Sequence, residues 1–332
     1  METIPHSGGH SRSAGATISR TTEAIMAGRF FGVCSMLLHY HMMASPLRIL
    51  FLGTSPFAIP SLRLFAQDPA FHVDAVITQP DKPTGRKQAL TPPPVKVAAI
   101  ERELPVLQPR SLRKEFLSLG LGRPDFLVVV SYGQILSQEI LDFPKAAPVN
   151  VHASLLPRFR GASPIQHALL AGDAETGVTV QHMVKELDAG PILAQVKVPI
   201  EPRETAQTLH DRLAAEGATL LLETLLQPLQ PSAQPREGVV LCGKLTRKDG
   251  QADPAAMTAE TIDRKVRALN PWPGVAFAAD GKTLKVLESA LELVPGSHPL
   301  PCAEGTVLYL VTVQPAGKKP MGGAEWARGR QK

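Results

Sequence analysis

The chain has 332 residues, of which 44% are hydrophobic, and it carries a formal net charge of +5. This length predicts one large core and a smaller second domain, because single cores stop growing before it is reached. No uninterrupted apolar stretch reaches the roughly 20 residues that a membrane-spanning helix needs, so we expect a soluble chain without a membrane partner. The modest basic charge indicates no particular partner by itself.

The three cysteines, Cys34, Cys242 and Cys302, lie far apart in the sequence. They form no C-x-x-C pair and have no histidine at ligand spacing, so the pattern predicts neither a zinc site nor a disulfide framework. Unpaired thiols are typical of a reducing compartment. We therefore expect no metal and a cytoplasmic location.

Residues 1–46 mix Ser, Gly, Thr and Arg and precede the first clear strand signal, so we exclude this extension from the fold. Two interpretations of it stay open. A start codon placed too early would leave the extension outside the natural protein. An organelle transit segment would also be rich in Arg, Ser and Thr and would place the protein in the mitochondrial matrix, although no amphipathic run is evident.

Residues 47–226 alternate short apolar runs with helix-length segments, which predicts an α/β domain built on a Rossmann-like parallel sheet. The apolar runs are nearly continuous, as expected for strands that are covered on both faces. The predicted strands are Arg48–Leu52, Val73–Thr78, Phe126–Val130 and Val149–Val151. The predicted helices are Phe57–Ala66, Val95–Glu103, Gln166–Leu170 and Thr205–Leu226.

A change of architecture follows this domain. Residues 227–238 carry three prolines among polar residues, which predicts a linker. Residues 239–332 predict a small OB-like β-barrel domain, with one helix at Thr258–Leu269 and strands at Thr283–Leu291 and Val307–Val313. Trp272 lies between two prolines and is expected to be a packing anchor at the domain junction.

The strongest chemical signal is the segment Asn150–Gly161, which reads NVHASLLPRFRG and begins in a predicted strand. Strand alternation places Asn150 and His152 on one side of the chain, at the carboxyl edge where open α/β sheets bind ligands. An amide can donate to an oxyanion and an imidazole can move protons near neutral pH, which suits attack of an amine on a formyl carbon. Asp188, in the sequence LDAGP, is the candidate carboxylate that sets the histidine's protonation or orients a water.

This ordered set, Asn-x-His-x-Ser-Leu-Leu-Pro followed by Arg-Gly and a later Asp, resembles the formyltransferase family that uses 10-formyltetrahydrofolate. The resemblance implies that Asn150, His152 and Asp188 are the catalytic residues and that 10-formyltetrahydrofolate is the formyl donor. It places the folate between the segment after His152 and walls at residues 130–136 and 184–188. The folate contacts that it implies are Ser154, Leu155, Leu156, Pro157, Tyr132, Gly133 and Ile135.

Further stretches resemble the members of this family that act on methionyl-tRNA. They are Gly53–Ala58, Thr78–Arg86 with Pro94–Lys96, Asn270–Gly274 and Gln314–Met321. The resemblance implies that Lys82, Arg86 and Lys87 reach the acceptor stem of initiator methionyl-tRNA, for translation initiation. Cations among prolines and a glycine are exposed and can meet phosphates, which favours the same interpretation. We expect a monomer.

One departure from the family concerns the C-terminal domain. The family has a further strand and turn in the region of Val307–Val313, whereas Gly305 to Leu308 run almost directly into the next strand. We therefore expect an incomplete barrel with exposed strand edges. Three alternatives stay open: a formyltransferase acting on an amino sugar, a formyl-folate hydrolase, and a non-catalytic protein that binds RNA or folate.

Overall fold

The computed structural model describes residues 45–85 and 88–329. Nearly all of the extension at residues 1–46, and both Arg86 and Lys87, therefore lie outside the described residues. The described residues from Pro46 onward belong to one compact unit.

The N-terminal half is built on a seven-stranded sheet in the order β10-β9-β7-β6-β1-β2-β5. Strand β9 runs antiparallel to both of its neighbours, β7 and β10. All neighbouring pairs from β7 to β5 are parallel. Two short strands form a separate hairpin, β3–β4, and β8 lies outside the main sheet. The bounds are β1 Leu47–Gly53, β2 Phe71–Ile77, β3 Lys82–Thr84, β4 Ala89–Thr91, β5 Val106–Leu107, β6 Phe126–Val130, β7 Ala147–His152, β8 Arg160–Gly161, β9 Glu175–His182 and β10 Ile192–Pro199.

All four predicted strands are confirmed, with ends shifted by a few residues, but the sequence pattern missed β5, β9 and β10 of this sheet. In β9 the polar residues Thr176, Thr179 and Gln181 are buried and interrupt the apolar run that marks a covered strand. Burial of Thr179 and of the Gln181 amide nitrogen is tolerated because partners reach them from elsewhere in the chain. The Thr179 hydroxyl, for example, donates to the Ser154 carbonyl at 2.7 Å.

Helices cover both faces of this sheet. One face carries Ile49 and Phe51 in a core shared with the long helix α6, and the other carries Leu50 and Leu52 in a smaller core. Thr205 caps α6, since its hydroxyl accepts from the Thr208 backbone N–H at 3.2 Å. The bounds are α1 Ile59–Gln67, α2 Pro94–Ile100, α3 Leu112–Glu115, α4 Gln138–Leu141, α5 Pro164–Ala171 and α6 Ala206–Leu225.

The strand order sets the position of the site. The chain leaves β1 towards β2 and β5 on one side and then crosses to β6 on the other side of β1. Ligands of open α/β sheets bind at the carboxyl ends of strands at such a switch point. The ends of β1, β6 and β7 meet there, and β7 ends at His152.

The C-terminal half holds a five-stranded antiparallel sheet in the order β12-β13-β15-β14, with β16 also paired to β15. The segment that looked shortened is one long strand, β15, and β14 and β16 share its outer edge. The sequence pattern missed β14 because two of its four residues are prolines, which are confined to strand edges. The incomplete barrel stays a prediction. The bounds are β11 Leu241–Cys242, α7 Ala259–Leu269, β12 Val275–Ala279, β13 Lys282–Ala290, β14 His298–Pro301, β15 Val307–Pro315, β16 Met321–Gly322 and α8 Gly323–Arg328.

The two halves meet where α5 packs against α7. A buried carboxylate beside this contact accepts hydrogen bonds from residues of both halves. Asp263 of α7, whose side chain is 1% exposed, accepts from Arg203 of the N-terminal half at 3.0 Å and from Arg267 at 2.8 Å. The Ser289 hydroxyl donates to the same carboxylate at 2.9 Å. Trp272, expected to be the anchor, is 58% exposed, so that expectation is wrong. Proline-flanked sequence alone could not reveal that a buried ion cluster joins the halves.

Candidate active site

Asn150 lies in the middle of the sheet, with its backbone paired to Val129 of β6 and Gln181 of β9. Its side chain is partly exposed near the carboxyl edge. Among the described residues, none hydrogen-bonds its carboxamide. The amide is therefore held by the backbone alone and can donate to an incoming oxygen.

His152 closes β7 and is only 6% exposed. Its Nε2 lies 2.8 Å from the Phe159 carbonyl oxygen. Because a carbonyl can only accept, Nε2 carries the hydrogen and Nδ1 is the basic atom of the neutral ring. Nδ1 faces Oδ2 of Asp188 at 3.7 Å, which is too long for a direct hydrogen bond but close enough to stabilise positive charge on the ring.

Asp188 is held by two neutral donors. Its Oδ2 accepts from the Gly161 backbone N–H at 2.8 Å, and its Oδ1 accepts from the Gln181 side chain at 3.1 Å. The residue has a φ of +51°, a left-handed conformation that turns its side chain towards His152. Gly190 completes the turn, because a Cβ at that position would lie 1.8 Å from a backbone oxygen. The structure thus brings together the three predicted catalytic residues and adds Gln181, which sequence reasoning missed.

Cys242 is a second residue that the sequence did not reveal. The carbonyl of Phe159, which orients His152, also accepts from the Cys242 thiol at 3.2 Å. Burial raises the pKa of the Cys242 thiol, so it stays a neutral donor. The parallel pairing of β11 with β8 holds Leu241 and Cys242 against the catalytic segment. Residues C-terminal to the linker therefore form part of the wall of the candidate active site.

The segment predicted to contact folate, residues 154–157, is pinned to the sheet. Ser154 is buried and its hydroxyl donates to the Arg158 carbonyl at 2.5 Å. The Leu156 side chain is also buried, and its carbonyl accepts from Gln195 at 3.0 Å. Leu155 and Pro157 are partly exposed, so they are the members of this segment whose side chains can reach a ligand.

The loop after β6 forms the other predicted wall. Ile135 is 90% exposed, whereas the Tyr132 side chain is buried in the sheet core and burial raises its pKa to about 12. The Tyr132 carbonyl accepts from Thr54 and from Gln79, both at 2.8 Å, which fixes the loop. A side chain at Gly133 would collide with Gln79, since a Cβ there would lie 2.6 Å from the amide nitrogen. Of the three predicted folate contacts in this loop, only Ile135 offers a side chain to solvent, while Tyr132 supports the loop from the sheet core.

The predicted tRNA-contacting loop begins in the hairpin β3–β4, where Lys82 is exposed. The other two predicted contacts lie outside the described residues. Asp81 at the root accepts from Lys96 at 2.9 Å and from Gln108 at 2.8 Å. These donors hold the pKa of Asp81 below its usual value. The hairpin is thus anchored at its base by an ion pair.

Residues 45–85 and 88–329 contain no helix with the length and apolar content needed to cross a bilayer. Within the same ranges, no three His, Cys, Asp or Glu side chains converge as a metal site.

An amide donor, an oriented imidazole and a held carboxylate at the switch point define a site suited to acyl transfer between amines. Residues 47–225 match the family model described as formyl transferase, and residues 244–331 match its C-terminal domain. The chain belongs to the formyltransferase family and is a formyl-transferring enzyme.

Relatives of this chain include methionyl-tRNA formyltransferases from several bacteria. The one from Bacillus subtilis (strain 168) is 39% identical over 301 residues, covering 85% of this chain and 94% of the relative. The one from Halorhodospira halophila is 43% identical over 301 residues, covering 86% and 96%. The one from Magnetococcus marinus is 42% identical over 299 residues, covering 85% and 95%.

Solved structures share the fold at lower identity. The N-formyltransferase of Helicobacter canadensis with folinic acid and dTDP-3-aminofucose has a TM-score of 0.60 and 16% identity, covering 80% of this chain and 98% of that one. HypX of Aquifex aeolicus with tetrahydrofolic acid has a TM-score of 0.56 and 18% identity, covering 85% of this chain and 47% of that one. At these identities the likeness concerns the fold alone.

Proposed function

We propose that this enzyme transfers the formyl group of 10-formyltetrahydrofolate to the α-amine of initiator methionyl-tRNA. The observation that carries the chemistry is the convergence of Asn150, His152 and Asp188 at one edge of the sheet. Identity of about 40% to methionyl-tRNA formyltransferases over 85% of the chain supports the acceptor. We propose action in the cytoplasm at translation initiation, or in the mitochondrial matrix if residues 1–46 are a transit segment.

In this proposal each catalytic residue has a separate role. The amine attacks the formyl carbon, and Asn150 donates to the oxygen as it becomes negative. His152 takes the proton from the amine through Nδ1, the atom left basic by the Phe159 contact, and returns it to the leaving folate nitrogen. Asp188 stabilises the positive imidazole between the two transfers. The carbon–nitrogen bond to the folate then breaks and the oxyanion collapses to the formyl-amine.

The folate would lie against exposed apolar side chains beside the site. Ile135 is 90% exposed and Leu187, next to Asp188, is 73% exposed. Large exposed apolar side chains that border a polar site are typical of a surface that a ligand covers. Together with Leu155 and Pro157, they are the groups that we propose to line the folate pocket, while Ser154, Leu156 and Tyr132 support its walls.

The tRNA acceptor stem would meet the basic hairpin. Lys82 is exposed, and Arg86 and Lys87 follow it within five positions of the sequence. Lysine and arginine side chains that neutralise phosphates release counterions and so contribute sequence-independent affinity. We propose that these three residues position the acceptor arm and leave recognition of the methionyl group to the site itself.

A single-turnover assay with labelled 10-formyltetrahydrofolate tests the function. We expect label in the α-amide of charged initiator tRNA, and little label with the uncharged tRNA or with an amino sugar nucleotide. Formylation of the sugar in preference to the tRNA would overturn the acceptor assignment. Release of free formate with every acceptor would instead indicate a formyl-folate hydrolase, and no turnover at all would indicate a binding protein.

A further inference from the structure

The linker lies directly on the loop that carries the candidate catalytic carboxylate. Ser232 exchanges two backbone hydrogen bonds with Ile192, both at 2.8 Å. Two residues further on, the Gln234 side-chain nitrogen donates to the carbonyls of Asp188 at 2.9 Å and Gly190 at 2.7 Å. Gln234 falls between the two matched family domains, which end at residue 225 and resume at residue 244.

The oxygen of the same Gln234 amide group is held as firmly as its nitrogen. Arg160 donates to its amide oxygen from Nε at 3.0 Å and from Nη2 at 2.7 Å. The next residue, Gly161, donates its backbone N–H to the Asp188 carboxylate. Guanidinium groups only donate and carbonyls only accept. The Gln234 amide therefore pairs with Arg160 and with the two loop carbonyls in one orientation alone. Arg160, Gln234 and Asp188 thus form a closed ring of contacts around the carboxylate.

Two backbone hydrogen bonds also hold this loop: the Ala189 N–H donates to the Glu186 carbonyl at 3.3 Å, and the His182 N–H donates to the Pro191 carbonyl at 2.9 Å. Residues 185–187 are exposed, so the loop has few apolar contacts. Asp188 adopts a left-handed conformation that is strained for a non-glycine residue and persists only when its surroundings enforce it. The Gln234 amide is the side chain that bonds the carbonyls on both sides of Ala189. Its loss would release the backbone while leaving the carboxylate's own two donors in place.

We infer that Gln234 is a positioning residue for formyl transfer: it fixes the backbone of Asp188 and thereby holds the carboxylate against His152. The inference rests on the proposed role of Asp188. It makes the geometry of the site depend on a segment outside the catalytic domain, because Gln234 belongs to the linker that leads to the C-terminal half.

Two substitutions separate this role from simple structural support. Gln234→Ala should lower the single-turnover rate by roughly 10- to 100-fold, the scale of a misplacement of about 1 Å, with KM for the tRNA and folate changed less than about twofold. Gln234→Glu keeps the volume and the oxygen that Arg160 binds but replaces the donor with an acceptor. It should be impaired at least as much as the alanine variant. Near-normal turnover of Gln234→Glu would mean that only the Arg160 contact matters and would overturn the inference. Gln230→Ala, exposed in the same linker and free of side-chain hydrogen bonds among the described residues, is the matched control.

A double-mutant cycle with Asp188→Ala identifies the route of the effect. If Gln234 acts through Asp188, then Gln234→Glu should add no further loss in the Asp188→Ala background. Additive losses would contradict the inference. Wild-type turnover of Asp188→Ala would instead sink the proposed mechanism, and a slow Asp188→Ala enzyme with normal Gln234 variants would sink only the role of Gln234. Melting temperatures of all variants should stay within a few degrees of wild type, and the isosteric Gln234→Glu carries the test if Gln234→Ala does not fold.

Discussion

Replacement of Asn150 by alanine isolates the chemical step from binding and folding. The Asn150 carboxamide has no hydrogen-bond partner among the described residues and is partly exposed, so its removal should leave no buried group unpaired. The backbone pairs to Val129 and Gln181 remain. We therefore expect a change in unfolding free energy within about 0.5 kcal/mol, the usual range for a surface substitution.

The expected kinetic loss follows from the same geometry. If the amide donates only to the developing oxyanion, its removal should cost about 3 to 4 kcal/mol of transition-state stabilisation, which lowers the rate by a factor of roughly 100 to 1,000. Folate binding should be nearly unchanged, since the amide interacts with the transition state more than with the substrate. Asn150→Asp should be worse than Asn150→Ala, because a carboxylate would repel the oxyanion.

Single-turnover kinetics at saturating folate and tRNA, together with folate binding by fluorescence and thermal unfolding, measure these three quantities separately. A rate within threefold of wild type would refute the role of Asn150. A loss of folate affinity as large as the loss of rate would show that the amide binds the ground state. A large fall in melting temperature would mean that the side chain has a structural role that its contacts do not reveal.

Three other perturbations test the remaining parts of the molecule. Asp263→Ala should cost about 3 to 5 kcal/mol in denaturant unfolding, because it leaves the poorly exposed Arg267 charge unpaired, and a loss below about 1 kcal/mol would contradict the role of the ion cluster. Arg86→Ala should weaken use of methionyl-tRNA and reduce the dependence of tRNA affinity on salt concentration by about one ion, without changing formyl-folate hydrolysis. Normal tRNA kinetics at all salt concentrations would contradict the proposed contact between Arg86 and the tRNA. Because the pKa of Asp81 lies below its ordinary 3.8, its ion pair stabilises the hairpin above that pH and is lost as the pH falls through the depressed value. Proteolytic protection of residues 82–91 should fall in that acid range in the wild type, whereas Lys96→Met should lose protection at neutral pH and show a flatter profile.

Local sequence determined the elements whose rules act over a few residues. Continuous apolar runs marked β1 and β6 because those strands are covered on both faces. Alternation along β7 was enough to place Asn150 and His152 on the same side, since successive side chains of a strand point to opposite faces. The Thr205 cap set the start of α6 for the same local reason.

Tertiary structure alone decided which distant residues complete the site. Gln181 reads as a polar interruption in the sequence, yet it is buried and its amide nitrogen donates to Asp188. Gln234 lies in the linker and Cys242 lies beyond it, and both reach the site only because this part of the chain returns past the catalytic segment. Hydrogen bonds between segments tens of residues apart depend on the packing of the whole sheet, so no local pattern encodes them.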